Sequence, residues 1–202
     1  MFEKLKIYFI TDSRFGKHEE LAEKVLKAGV RAIQLREKSM SSKEIYEVAK
    51  KIRKLTLDYD ALFIVNDRLD IALASDADGV HLGQEDLPFD AARDIFGGIL
   101  GVSVHSVEEA MKAERYADYL GVGPVFATKS KEDAKEPLGI EKFKNIVSST
   151  KVPVIAIGGI NHSNVKEVLR AGAFGVAVIS AIAMHADVYL AARSFLDIIQ
   201  NA

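Results

Sequence analysis

"AIQLREKSMSSKEIYEVAKKI", residues 32–52, contains one complete structural unit. It opens on a short apolar run, AIQLR (32–36), that ends in charge. Ser41 and Glu44 follow at capping-box spacing, at which a serine and a glutamate can satisfy each other's backbone N–H groups. Ile45, Val48, Ala49 and Ile52 then recur on one helical face. A strand, a turn and an amphipathic helix are expected in that order. The same alternation extends in both directions. Further apolar runs are KIYFITD (6–12), ALFIVND (61–67), GVHLG (79–83), ILGVSVH (99–105), YLGVGPV (119–125), VPVIAIGG (152–159) and GVAVIS (175–180). They are continuous rather than alternating, as suits strands covered on both faces. Ser106 and Glu109 repeat the capping-box spacing, and Gly29 and Gly172 stand where helices close. Eight strand–helix units with none left over predict an α/β fold, a single (β/α)8 TIM barrel spanning residues 1–202. An open doubly wound sheet is the competing architecture, and the count of eight favours closure.

Composition narrows the function. The chain has 202 residues, 49% of them hydrophobic, which is enough for one sizeable core. Its net charge is −2 with acids and bases intermixed, so no basic field points to nucleic acid. Cysteine is absent, which excludes disulfides, thiolate metal sites and thiol nucleophiles. No run approaches the roughly 18 apolar residues of a membrane helix. The N-terminal MFEKLKIYFITDSR has too short an apolar run for a signal peptide. A cytoplasmic protein without membrane or nucleic-acid partners is the expectation. The oligomeric state is not legible.

In this fold, sites gather at the C-terminal ends of the strands, and polar residues collect there. Gln34, Arg36 and Lys38 alternate at the second strand end, a spacing that puts them on one side of extended chain. Arg and Lys suit phosphate, although ion pairing to Glu37 or a neighbour explains them equally. Asn66 and Asp67 end the third strand, and Asp86 follows the fourth. Two converging carboxylates need a cation or a proton between them, and Mg²⁺ fits with substrate phosphate; helix capping is the other explanation. Gly158-Gly159 after strand seven and Ile179-Ser180 after strand eight mark the common phosphate place of such barrels. Ser103 and His105 share a face of strand five, where His105 is either a general acid–base group or a hydrogen-bonded corner residue. His81 is expected to be packed within its strand. His18, His162 and His185 are expected at the surface or in loops.

The connection after strand six, GPVFATKSKEDAKEPLG (123–139), is unusually long for a compact domain. Thr128, Ser130 and Lys131 can donate to an anion, and a mobile cationic loop at a barrel mouth can close over a phosphorylated ligand. A plain solvated loop would carry the same composition. A basic strand end and a separate glycine-rich place suggest two phosphorylated ligands, or one with phosphates at both ends.

Taken together, "QLREK", "VNDR", "GVHLGQED", "GVSVH", "GPVFATKSKEDA…PLG", "IAIGGI" and "GVAVIS" resemble the thiamine phosphate synthase family, in order and over nearly the whole chain. The resemblance implies a (β/α)8 barrel that couples a pyrimidine-methyl diphosphate to a thiazole phosphate with Mg²⁺. It also implies departure of diphosphate before the thiazole nitrogen attacks. By position it implies that Gln34, Arg36, Lys38, Asn66, Ser103 and Lys131 bind the pyrimidine diphosphate. Asp67 and Asp86 would be metal ligands. Thr128, Ser130, Gly159, Ile179 and Ser180 would bind the thiazole phosphate. Arg36, Lys131, Ser103 and His105 are the catalytic candidates. Two departures stand out: Ser130 replaces a second threonine, and Ala127 replaces a proline. A sister group of thiazole tautomerases resembles the chain at "SVHS", where His105 would move the proton. That group tends to lack the aspartates and the threonine–lysine pattern present here. A non-catalytic, precursor-binding regulator is the alternative of another class.

Overall fold

The computed structural model describes residues 2–128 and 135–201. Eight parallel strands close in sequence order. They are β1 (Ile7–Asp12), β2 (Ala32–Arg36), β3 (Leu62–Asn66), β4 (Gly79–Leu82), β5 (Ile99–Val104), β6 (Tyr119–Val122), β7 (Val154–Ile157) and β8 (Gly175–Val178). β1 pairs with both β2 and β8, so the sheet has no edge and the open-sheet alternative fails. The helices are α1 (His18–Ala28), α2 (Ser42–Asp58), α3 (Leu69–Ala74), α4 (Phe89–Ile95), α5 (Val107–Ala113), α6 (Gly139–Ser148), α7 (Val165–Arg170), α8 (Ser180–Ala183) and α9 (Val188–Gln200). The eighth unit thus carries two helices where one was expected. None of the described helices is long and apolar enough to cross a membrane.

Alternation along the strands separates two apolar layers. Outward residues such as Phe9, Ile33, Phe63, Val80 and Val102 pack under the helices. Inward residues such as Tyr8, Ile10, Ile64, Tyr119 and Ile155 fill the barrel. Leu5, from a 3₁₀ turn at Phe2–Lys6, is fully buried and joins the inner layer. Gly101 and Gly121 leave room inside for the larger rings of Tyr119 and His81, whose centroids lie 5.4 Å apart.

Several strands are shorter than their apolar runs. The seventh ends at Ile157 because Gly158 and Gly159 adopt φ of 93° and 66°. The third ends at Asn66, and Asp67 follows with φ 61°, in the left-handed region. Of the two predicted capping boxes, the Ser41–Glu44 box is complete. The second is half made. Ser106 Oγ accepts from Glu109 N, but the Glu109 carboxylate takes the N–H of His105 instead of that of Ser106.

Candidate active site

A cavity of about 330 Å³ opens at the C-terminal rim. Arg36 and Lys38 reach it from β2, Asn66 and Asp67 from β3, and Asp86 from the turn after β4. Ser103 comes from β5, His105 from the bend after it and Thr128 from the connection after β6. Gly159 lines it after β7, with Ile179 and Ser180 after β8. Residues more than 140 positions apart in the chain therefore share one space. Two predicted residues, Ser130 and Lys131, lie outside the described residues. Gln34, two residues before Arg36 on the same face, lies one layer deeper: it is buried inside the barrel and lines a smaller cavity that shares Asn66 with the rim one.

Asp67 and Asp86 converge, and neither caps a helix. The residues preceding α3 and α4 are Arg68 and Pro88, without side-chain caps. Asp86 closes its own turn by accepting from Gly83 N at 2.6 Å. Burial pushes the Asp86 carboxyl up, and the neighbouring Asp67 carboxylate adds to that, against the Gly83 bond and Lys38. Lys38 lies beyond the end of β2, and its Nζ reaches Asp67 Oδ2 at 2.5 Å. Two carboxylates and a cation thus share one side of the rim. Among the described residues no set of three or more metal-ligating side chains occurs.

Arg36 is almost fully buried and is held by an acid the sequence reasoning passed over. Its Nη1 donates to Asp12 Oδ2 at 2.7 Å. Arg14 grips the same carboxylate through Nε at 2.9 Å and Nη2 at 2.7 Å. Burial raises the Asp12 carboxyl, but the bonds and charges of Arg14 and Arg36 outweigh it and hold the group below its usual range.

Glu37 was also missed as an anchor. Its Oε1 accepts from Lys38 N at 2.7 Å, Ser39 N at 2.7 Å and Ser39 Oγ at 2.8 Å. Its Oε2 meets His18 Nε2 at 3.0 Å, and His18 Nδ1 lies 2.7 Å from Thr11 Oγ1. His18 is therefore buried rather than at the surface, correcting the sequence-based expectation. The signal was present, since His18, Leu21, Ala22 and Val25 fall on one helical face. This knot fixes the turn that carries Lys38. Burial would raise the Glu37 carboxyl, but bonds from Ser13, His18 and Ser39 hold it well below the usual carboxylate range.

Both depressed carboxylates set an acid limit. The unfolded chain takes up their protons at the ordinary carboxylate pKa of about 4, before the folded chain does. Their contribution is complete above that pH and is lost as pH falls toward the folded values. Urea midpoints followed from neutral pH downward should decline below about pH 4. Glu37→Gln should make that decline shallower, and an unchanged slope would show that the knot adds nothing.

On the opposite side, the Gly158-Gly159 turn is tied to the start of the long connection. Val125 N donates to Ile157 O at 2.9 Å and Phe126 N to Gly158 O at 3.0 Å. A Cβ on Gly159 would lie 2.6 Å from Ala127 O. The glycines thus serve close backbone approach, and α7 begins only at Val165, so this turn is not a helix N-terminus. His105 Nδ1 bonds Gly123 O at 3.0 Å and steadies the same connection. His162 packs against Phe195 from a loop, the rings tilted 49° to each other, and His185 is exposed.

The profile of a family described as thiamine monophosphate synthase matches residues 7–182. A thiamine-phosphate synthase of Archaeoglobus fulgidus is 62% identical over 198 residues, covering 98% of this chain and 94% of that protein. One from Pyrococcus furiosus is 50% identical over 200 residues, covering 98% and 96%. The solved structure of a Pyrococcus furiosus thiamine phosphate pyrophosphorylase superimposes with a TM-score of 0.93 at 48% identity, covering 98% and 97%. A 3-hexulose-6-phosphate synthase structure, at 19% identity and a TM-score of 0.74, shares the fold alone.

Proposed function

This chain belongs to the thiamine monophosphate synthase family and is a transferase of the thiamine-phosphate synthase kind; we propose that it uses the rim cavity to couple a pyrimidine-methyl diphosphate with a thiazole phosphate. The observation that carries this assignment is the pairing of Asp67 and Asp86 beside Lys38 and Arg36, across the cavity from the glycine turn.

Mg²⁺ fits that pair. The two carboxylates converge without capping a helix, and a hard cation takes a few carboxylates plus water and phosphate oxygens. Bound there, it supplies positive charge beside the departing diphosphate. Arg36, fixed by Asp12, and Lys38 add charge on the same side. Lys131, assigned from the sequence pattern alone, would add more. Asn66 and Ser103 would hold the pyrimidine, with Gln34 acting from the layer below. Thr128, Gly159, Ile179 and Ser180 would receive the thiazole phosphate, together with Ser130 from the sequence pattern. The methylene carbon–oxygen bond breaks with its electron pair leaving on diphosphate, and the thiazole nitrogen lone pair then forms the carbon–nitrogen bond. Electrostatic stabilisation of the leaving group is the main contribution, with each well-placed donor worth about 3 kcal/mol. The proposal takes residues 1–202 as one domain and a cytoplasmic location, which the cysteine-free composition suits.

The test is an assay of the purified protein with both phosphorylated precursors, with Mg²⁺ and with chelator. Thiamine phosphate and diphosphate should appear in equal amounts only with the metal. Binding of both precursors without product would favour a regulatory role instead. In the same assay His105→Ala should cost less than about tenfold, since His105 anchors a carbonyl and a general acid–base would be worth about 10²–10⁴-fold. Metal-free thiazole tautomerisation abolished by this change would reverse the assignment.

A further inference from the structure

A chain of side-chain hydrogen bonds crosses the barrel under the cavity floor. Gln34 Nε2 donates to Tyr8 Oη at 2.6 Å, and Tyr8 Oη lies 3.0 Å from Tyr119 Oη. Tyr119 Oη lies 2.9 Å from His81 Nδ1, and His81 Nε2 lies 2.8 Å from Ser103 Oγ. The first four residues are buried, and Ser103 lines the rim cavity. The chain links β2, β1, β6, β4 and β5. Gly101 and Gly121 give its two central rings their space, since a Cβ at either would meet His81.

Proton counting gives the chain a direction. The Gln34 amide N–H occupies one lone pair of Tyr8, and each phenol has a single proton to pass on. Burial pushes both phenols up, so both remain neutral donors. Among the described residues the Tyr8 hydroxyl has only Tyr119 Oη left to donate to, and a buried proton without an acceptor is costly, so Tyr8 donates to Tyr119 and Tyr119 to His81 Nδ1. A neutral imidazole that accepts at Nδ1 carries its proton on Nε2. Nε2–H donates to Ser103 Oγ, and the Ser103 proton is directed into the cavity. Bonds in such a series polarise one another, which makes the terminal hydroxyl a better donor.

We propose that this chain is a one-way hydrogen-bond relay that presents Ser103 to the ligand as a donor. Tyr8, Tyr119 and His81 are its positioning residues. The relay favours an acceptor atom of the ligand, such as a ring nitrogen of a pyrimidine, over an amino group at that point. No proton is transferred; the chain orients. The choice of ligand rests on the function proposed above, whereas the direction of the chain does not.

The decisive measurement is ¹⁵N NMR of the histidine-labelled 202-residue chain without ligand, in which only five histidines must be assigned. His81 should be the neutral Nε2–H tautomer with an accepting Nδ1. An Nδ1–H tautomer or an imidazolium would overturn the relay. Tyr119→Phe should release His81 to a mixture of tautomers and raise KM for the pyrimidine diphosphate about tenfold, the value of one hydrogen bond, with KM for the thiazole phosphate unchanged. A displaced tautomer with both KM values unchanged would reduce the chain to a structural plug. Tyr8→Phe removes the donor that fixes the Tyr119 hydroxyl, so it should also admit some of the Nδ1–H tautomer, and an unchanged pure Nε2–H form would show that the direction does not come from the Gln34 end. If Tyr119→Phe does not fold, the wild-type spectrum and Tyr8→Phe still decide. The spectra need no turnover, so a protein that fails to couple its precursors would sink the functional assignment while leaving the direction measured.

Discussion

Asp67→Asn should lower coupling by about 10³-fold while leaving the urea midpoint nearly unchanged. The two effects separate because of where Asp67 sits. Its carboxylate faces the cavity beside Asp86 and pairs with an exposed Lys38, and such a pair contributes little to folding, about 0–1 kcal/mol. Its backbone has φ 61°, a conformation that asparagine tolerates and alanine does not favour. Asparagine therefore removes the charge and keeps the turn. Alanine would add strain of about 1–2 kcal/mol and blur the result. On the proposed role of the pair, loss of one carboxylate should abolish its hold on Mg²⁺ at the diphosphate. Activity should stay low at any Mg²⁺ concentration reached, and diphosphate analogues should lose their metal-dependent affinity. Wild-type turnover in Asp67→Asn would remove the pair from the mechanism.

Gly101→Ala should cost about 3 kcal/mol or more of stability, the upper end for overpacking. A Cβ there would overlap the Tyr119 ring and lie 2.5 Å from His81 Nδ1. Neither neighbour can withdraw, since both rings are buried in the barrel and hydrogen-bonded to each other. The methyl group must displace a ring or spread β5 from its neighbours. Ser103 follows two residues later on the same strand, so activity should fall along with stability. Gly97 is the control, because a Cβ there meets nothing within 4 Å. Gly97→Ala should be neutral or slightly stabilising through the unfolded chain. Equal urea midpoints for the two variants would mean that the barrel interior has slack that its packing does not suggest.

The sequence by itself determined the architecture and the rim on which the candidate site lies. Strand and helix periods are local properties, and eight buried runs separated by amphipathic helices favour a barrel, since an open doubly wound sheet covers the same faces but leaves two edges. The Ser41–Glu44 box is equally local, since its two members are one helical turn apart. The polar strand ends were legible for the same reason: parallel strands must present their C-terminal ends on one rim. Pairing between polar groups was decided only by tertiary structure. Glu109 has the spacing to complete a box with Ser106, yet it bonds the N–H of His105, whose ring is tied to Gly123 O just past the end of β6. Asp12, Arg14 and Arg36 look like scattered surface charges until β1 and β2 align Asp12 with Arg36. Gln34 reads as a rim residue by spacing, but barrel closure puts it below the cavity against Tyr8. A carboxylate or hydroxyl accepts any donor within reach. Which donor that is depends on strand register and closure, terms set by contacts tens of residues apart and carried by no local pattern.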